Sequence, residues 1–302
     1  MTKKYNFSFF FKKANLLSIV IFSISIFFII FKGLNYGIDF KGGTLIELRV
    51  DGNNINISDI RSSFSKASIG DINVKTFGTE GDYLIKIEQT DKQNANFIAE
   101  LKKNINDSLN NAVNFRRIEN VGPKVSSELL ESGLIAIALS LAAMLFYIWI
   151  RFEWQFSVGS IIALLHDVVI TVGIFSILSF EINLSIIAAV LTIVGYSMND
   201  TVVIYDRIRE NLSKYNRLSI DEIANLSINE TLSRTIITSV TTLLALFAIF
   251  ILGGEILKGF SFAMILGVLI GTYSSIFVAS PILKYFKVDQ ETMQKDEEKI
   301  LP

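Results

Sequence analysis

The sequence predicts an α-helical polytopic membrane protein with six transmembrane helices and one external α+β domain between spans 1 and 2. Three observations predict it. Of 302 residues, 51% are hydrophobic and only 19% charged, with a mean hydropathy of +0.47, where soluble globular chains carry about 25% charged residues. The apolar residues collect into six long uncharged runs, near 16–31, 133–150, 156–180, 182–199, 235–254 and 259–283. Between the first two lies a polar stretch, 32–132, too long for an ordinary loop and patterned like a folded domain.

The composition also excludes. With 28 Lys+Arg against 29 Asp+Glu the net charge is −1, so the chain lacks the basic excess of a nucleic-acid binder. It has no Cys, which removes disulfide scaffolds, zinc–cysteine sites and cysteine nucleophiles. His166 is the only His, so any His-dependent centre is built around it. Nothing calls for a metal, a cofactor or a catalytic constellation.

A helix crosses a bilayer with about 20 mostly apolar residues. The first run is slightly short, and Phe9–Phe11 extend it. Lys3, Lys4, Lys12 and Lys13 flank its start, and no small-x-small cleavage site follows Phe28-Ile29-Ile30-Phe31-Lys32, so it reads as an uncleaved signal anchor. These lysines predict a cytoplasmic N-terminus, and six crossings return the C-terminus to the same side. Arg151, then Arg207, Arg209, Lys214, Arg217 and Arg234, then Lys284 and Lys287 fall on that side, while the opposite short loops hold only Lys258.

Within the external segment, Thr44–Val50, Ile72–Phe77, Tyr83–Glu88 and Val113–Val121 read as strands, and Ile57–Ala67 and Asn94–Leu109 as amphipathic helices. Gly78-Thr79-Glu80-Gly81 signals a hairpin. The order β-α-β-β-α-β is that of a ferredoxin-like split unit, with a generic small α+β domain as the alternative. Gly37-Ile38-Asp39-Phe40-Lys41-Gly42-Gly43-Thr44 and Val121-Gly122-Pro123 join it to the membrane, so Gly37, Asp39, Gly42, Gly43, Gly122 and Pro123 are candidate hinge residues. Asp39 has a second open role, as a cap or a partner of Lys41. The organisation is therefore 1–36, N-terminus and first span; 37–132, external domain; 133–288, spans 2–6 with a cytoplasmic amphipathic segment at 206–233; and 289–302, a charged tail.

The most informative residues are those that lipid penalises. A charge at the centre of a spanning helix costs about 2.5–3.5 kcal/mol even on lenient scales, and such residues usually face a bundle interior. His166 and Asp167 lie mid-way along the third span, with Ser160 and Thr171 sharing the face of Asp167. Asp167 has two open roles, in function or in fixing helix packing. Asp200 ends the fourth apolar run within Tyr196-Ser197-Met198-Asn199-Asp200-Thr201, and Arg234 opens the fifth span ahead of Thr238, Thr241 and Thr242. Alone, Arg234 reads as a snorkelling anchor; with Asp200 near the same face, a pair becomes the sharper reading. A carboxyl group far from a cation in a low-dielectric site holds its proton, and one beside a guanidinium releases it. An Asp200 that alternates between contact with and separation from Arg234 would carry protons as the bundle rearranges. In the last span Ala263, Gly267, Gly271, Ser275 and Ala279 recur every fourth residue, a stripe for close packing within the chain or against a partner.

The segments Gly37–Thr44, Val121-Gly122-Pro123, Tyr196–Arg209 and Asn229-Glu230-Thr231-Leu232-Ser233-Arg234-Thr235 together resemble the SecD/SecF family of protein-export membrane subunits, over almost the whole chain. The resemblance implies membership of the resistance–nodulation–division superfamily. It implies pairing with SecD into a pseudo-symmetric twelve-helix bundle beside the SecYEG channel in the bacterial cytoplasmic (inner) membrane, with YajC and YidC as further partners. The implied activity is the use of the proton-motive force to promote preprotein translocation. The family's proton-pathway positions fall on Asp200 and Arg234, with Asp167, His166, Ser197, Asn199, Thr201 and Thr238 as secondary polar candidates. A proton-driven small-molecule or lipid exporter of the same superfamily is the alternative, although such exporters usually carry twelve spans and two large external domains in one chain. An intramembrane hydrolase would need a Ser–Lys, paired-Asp or metal constellation that the sequence does not display.

Overall fold

A computed structural model describes residues 5–50, 56–66, 72–76, 81–88, 97–108, 113–215 and 217–288. Lys3, Lys4, Ala67, Phe77, most of the expected hairpin turn (Gly78, Thr79 and Glu80), Asn94, Leu109 and the tail from 289 lie outside them. Helices are α1 (Phe11–Phe31), α2 (Ile38–Lys41), α3 (Ile57–Lys66), α4 (Phe97–Ser108), α5 (Pro123–Arg151), α6 (Trp154–Leu178), α7 (Leu184–Lys214), α8 (Ile220–Leu252), α9 (Gly254–Ser274) and α10 (Ser280–Tyr285). A π-helical turn, Ser275–Ala279, joins α9 to α10. Strands are β1 (Asn35–Tyr36), β2 (Gly43–Val50), β3 (Ile72–Thr76), β4 (Asp82–Glu88), β5 (Val113–Val121) and β6 (Glu181–Ile182).

Six helical stretches are long and apolar enough to span a bilayer: Ser8–Phe31, Lys124–Arg151, Trp154–Leu178, Leu184–Lys214, Ile220–Leu252 and Ile256–Tyr285. Each encloses most of one apolar run in the sequence, and most run past it. Residues 206–233, expected as an amphipathic segment, are largely helical and form the end of α7 and the start of α8. The physical reason lies in the local sequence. Ser219 and Glu222 form a capping box that starts α8, and Asn211 donates to Ser227 at 2.9 Å and Glu230 at 2.8 Å across the hairpin.

The chain divides into two compact units. One is the helical bundle, residues 1–35, 135–180 and 185–302; the other is the inserted domain, 36–134, with Glu181–Leu184 added from between spans 3 and 4. The inserted domain is a four-stranded antiparallel sheet of order β3-β4-β2-β5 with α3 and α4 as its crossovers, the ferredoxin-like arrangement. Alternation on the strands puts Ile46, Leu48, Val74, Ile85 and Ile87 on one face, where they bury Ile60, Phe64, Leu101 and Ile105 of the two helices.

In the bundle, two ladders with the same four-residue spacing face each other. Ideal Cβ atoms at Gly267 and Gly271 would fall 2.2 Å from the Ile193 side chain and 2.9 Å from that of Ser197. Further along, Thr201 and Ser275 share a hydrogen bond at 2.8 Å, and the Tyr205 hydroxyl donates to the Ala279 carbonyl at 2.8 Å. The small-residue stripe therefore packs within the chain, on α7. A similar approach joins α1 to α6, where a Cβ at Gly173 would sit 2.3 Å from that of Ser25. By contrast, α5 and α8 expose Leu139, Phe146, Trp149, Ile237, Leu244 and Ile251, as lipid or neighbouring helices permit.

Gly173→Val fills a space the fold does not have. Such overpacking costs about 1–3 kcal/mol, and a lower thermal midpoint in detergent, followed by the fluorescence of the two tryptophans Trp149 and Trp154, checks it.

Candidate functional site

Three spans bring polar groups to one interior point. From α6, Asp167 is fully buried, and its Oδ1 lies 2.9 Å from His166 Nδ1. Its Oδ2 accepts from the Ser197 hydroxyl of α7 at 2.6 Å and the Ser274 hydroxyl of α9 at 2.8 Å. The His166 ring stacks with Phe22 and Tyr273, and its buried Nε2 has no partner among the described residues. Thr171 donates to the Asp167 carbonyl at 2.8 Å, and Ser160 likewise bonds its own helix.

Asp200, one turn beyond Ser197 on α7, is 3% exposed. The Thr272 hydroxyl donates to its carboxylate, and Thr272 Oγ1 in turn lies 2.8 Å from Ser239 Oγ of α8. Asp200 Oδ2 has no hydrogen-bond partner among the described residues. Arg234, five residues before Ser239 on α8, is exposed, and among the described residues it makes no ion pair within 4.0 Å with any carboxylate, Asp200 included. It lines a cavity of about 360 Å³ with Tyr147, Arg151, Asp206, Arg207, Glu210 and Thr231. The other two cations there are paired, Arg151 with Asp206 at 3.5 Å and Arg207 with Glu230 at 2.6 Å. Arg234 is thus the guanidinium of this cavity left for water or for a moving carboxylate.

The remaining candidates separate. Ser197 serves Asp167, and Thr201 serves Ser275. Asn199 is exposed. Thr238 and Thr241 bond carbonyls of their own helix, while Thr242 accepts from Tyr196 at 3.2 Å. Sequence reasoning did not find Thr272, Ser274 and Ser239. The available signal was the dense polar run Thr272-Tyr273-Ser274-Ser275 within an apolar helix.

The glycine-bearing segment is tied down by several backbone bonds. Gly42 has φ 79° and Gly43 φ 139°, backbone that favours glycine, and a Cβ on Gly43 would meet the Ile87 carbonyl at 2.4 Å. Gly43 sits in the sheet opposite both Glu88 and Val121. Gly37 N–H donates to the Ile182 carbonyl at 2.8 Å. Asp39 Oδ2 accepts from the backbone amide of Leu184, the first residue of α7, at 2.9 Å; it does not pair with Lys41. Lys86 of β4 is ion-paired with Glu181. Burial, with repulsion from Lys75 second, pushes the Lys86 ammonium down to about 8, and Asp39 pulls it partly back. At the domain's other end, Gly122 precedes Pro123, the first residue of α5, and accepts at its carbonyl from the Ser126 amide. Among the described residues no group of His, Asp and Glu is placed to hold a metal ion.

Fold and site together define a six-span membrane protein with a ferredoxin-like insertion after its first span and ionisable side chains inside its bundle. The family of protein export membrane proteins SecD/SecF, C-terminal, matches residues 101–289, and the SecD/SecF GG motif matches 27–53. The chain belongs to the SecD/SecF family. It is 47% identical over 270 residues to the protein translocase subunit SecF of Rickettsia bellii, covering 89% of each chain. To that of Cereibacter sphaeroides it is 42% identical over 272 residues, covering 87% of this chain and 84% of the relative. Among solved structures, a translocon-associated SecDF from Thermus superposes with a TM-score of 0.83 at 35% identity, over 94% of this chain and 39% of that one. SecDF in a super-membrane-facing form gives a TM-score of 0.71 at 34% identity, over 99% and 40%. The chain thus spans about two-fifths of the length of the solved SecDF chains.

Asp167→Leu takes the acceptor from His166 and Ser197, at about 1–3 kcal/mol for each donor left unpaired, while the Ser274 hydroxyl keeps the Gly271 carbonyl at 3.1 Å. A large drop in thermal midpoint is expected, and a smaller one for Asp167→Asn, which keeps a carbonyl acceptor. For Lys86, the free amine is the nucleophile, so acetylation is slow below pH 8 and rises through a midpoint near 8. Between pH 8 and 10.5 the unfolded chain keeps a proton that the native chain has released, so this site's contribution to stability rises with pH across that window. Peptide mapping after acetylation at several pH values measures the midpoint.

Proposed function

We propose that this chain is a proton-driven membrane subunit of the preprotein export machinery, working with SecD beside the SecYEG channel, with YajC and YidC as neighbours. It acts by moving polypeptide, not by chemistry on it. Relatives that carry the name protein translocase subunit SecF match 89% of this chain at 47% identity, which supports the export role. In the solved SecDF chains this sequence corresponds to about two-fifths of the length, which supports SecD as the proposed partner. The exposed apolar faces of α5 and α8 suit that neighbour.

The chain crosses the bacterial cytoplasmic membrane with both termini and the α7–α8 hairpin inside and the ferredoxin-like domain outside. Lys12, Lys13, Arg151, Arg207, Arg209, Lys214, Arg217, Arg234, Lys284 and Lys287 all flank the apolar runs on the side that this topology assigns to the cytoplasm, in line with the positive-inside rule.

The observation that carries the proton reading is the setting of Asp200. Among the described residues, a buried carboxylate with one unpartnered oxygen stands in the same bundle as a guanidinium that has no carboxylate of its own. Loading Asp200 with a proton frees it from any need for a cation; losing the proton draws it toward Arg234. Each proton crossing about 100 mV delivers about 2.3 kcal/mol, sufficient to bias a two-state bundle. The polar cavity around Arg234 gives water access to the guanidinium.

Asp200→Asn is expected to assemble normally and to lose gradient-driven export by about a hundredfold, the typical worth of a placed proton-transfer group; a wild-type rate would sink the proposal. Arg234→Lys keeps the charge and loses the planar fork, and unchanged export in that variant would mean that a point charge suffices. Copurification with a six-span partner and the Sec channel after mild detergent extraction tests the assembly.

A further inference from the structure

The segment Gly37–Gly43 has no part in the proton pathway, yet the start of α7 is held by it. Three independent contacts converge on residues 181–184. The Gly37 amide bonds the Ile182 carbonyl at 2.8 Å. Asp39 Oδ2 accepts from the Leu184 amide at 2.9 Å, one of the orphan donors at a helix start, where a negative charge is also favourable. Lys86 pairs with Glu181, and Asp39 and Lys75 are the other charges that face it. Gly37 is needed for the approach, because a Cβ there would lie 2.9 Å from Glu181 Oε1.

Each contact leads directly into a stiff element. From Gly43 the chain enters β2, the strand paired on both sides in the sheet, and Lys86 lies on its neighbour β4. From Leu184 the chain continues without a break in α7 to Asp200, about 24 Å at 1.5 Å per residue. A hinge would let the sheet and the helix move separately. A backbone bond, a helix cap and an ion pair on four consecutive residues make a clamp.

We propose that Asp39 and the Lys86–Glu181 pair couple the inserted domain to α7, so that a shift of the Asp200-bearing helix becomes a movement of the domain. They are positioning residues for the proton-driven step, and the inference rests on the proton reading of Asp200.

The test uses membrane vesicles holding the full chain with its partners, an imposed proton gradient, and Asp200→Asn as reference. Asp39→Ala is expected to speed amide exchange in the first turn of α7 about fivefold, the usual effect of a lost cap on an opening equilibrium. It is also expected to lower gradient-driven export at least about fivefold, the low end of a coupling between two sites, with complex yield unchanged. Asp39→Asn retains an oxygen acceptor and should keep both values near wild type. Lys86→Glu or Glu181→Lys alone should lower export, and the double swap should restore it. A gradient-dependent change in tryptic cleavage of the inserted domain should vanish in the single variants and return in the swap, which a merely structural role would not produce. Normal export in Asp39→Ala and in both single reversals, beside an inactive Asp200→Asn, overturns the clamp and leaves the proton reading intact. So does a swap that restores nothing. An active Asp200→Asn overturns the proton reading and the clamp with it.

Discussion

Lipid offers no hydrogen bonds, so a carboxylate deep in a helical bundle must find its donors on neighbouring spans. Asp167 finds three. One comes from its own helix through His166, one from α7 through Ser197 and one from α9 through Ser274. Hydrogen bonds are directional, so these contacts fix the rotation of three helices about their axes, which apolar packing alone defines weakly. The facing ladders of α7 and α9 depend on that rotation. So does the placement of Asp200, one turn from Ser197.

This arrangement divides the work between two acids of one bundle. Asp167 has a partner for each oxygen and lies between close-packed helices, as a structural group should. Asp200 has Thr272 for one side and nothing among the described residues for Oδ2. A carboxylate that is under-satisfied in one state has a reason to occupy another. The two acids look alike in sequence, since both are lone charges in apolar helices; only their donors distinguish them.

Much of the fold was legible because lipid and a small sheet impose simple periodicities. The six spans follow from apolar runs, and the strands Thr44–Val50 and Val113–Val121 from alternation. The division of 206–233 between the ends of two long helices was not legible, because its mixed charges suit a surface helix as well as the solvated end of a long one. In the site, Asp167, Asp200 and Arg234 stood out by cost alone. Their donors did not, since Ser274 and Thr272 are individually cheap in a spanning helix and acquire meaning only from what α9 packs against. The cap that Asp39 provides was beyond reach for the same reason: its partner, Leu184, lies 145 positions away, and nothing in either local sequence refers to the other.

The π turn at Ser275–Ala279 bears on the reach of the α7–α9 contact. A ridge of every fourth residue slants by about 26° across a straight α-helix, so two such ridges laid together force their helices to cross and then part. A wider turn takes more residues to go round, so it winds a four-residue ridge back toward the axis. Placed between the third and fourth rungs of the ladder, it lets Ala279 still meet Tyr205 after Gly267, Gly271 and Ser275 have met Ile193, Ser197 and Thr201. One irregular turn thus converts a glancing crossing into a seam four rungs long.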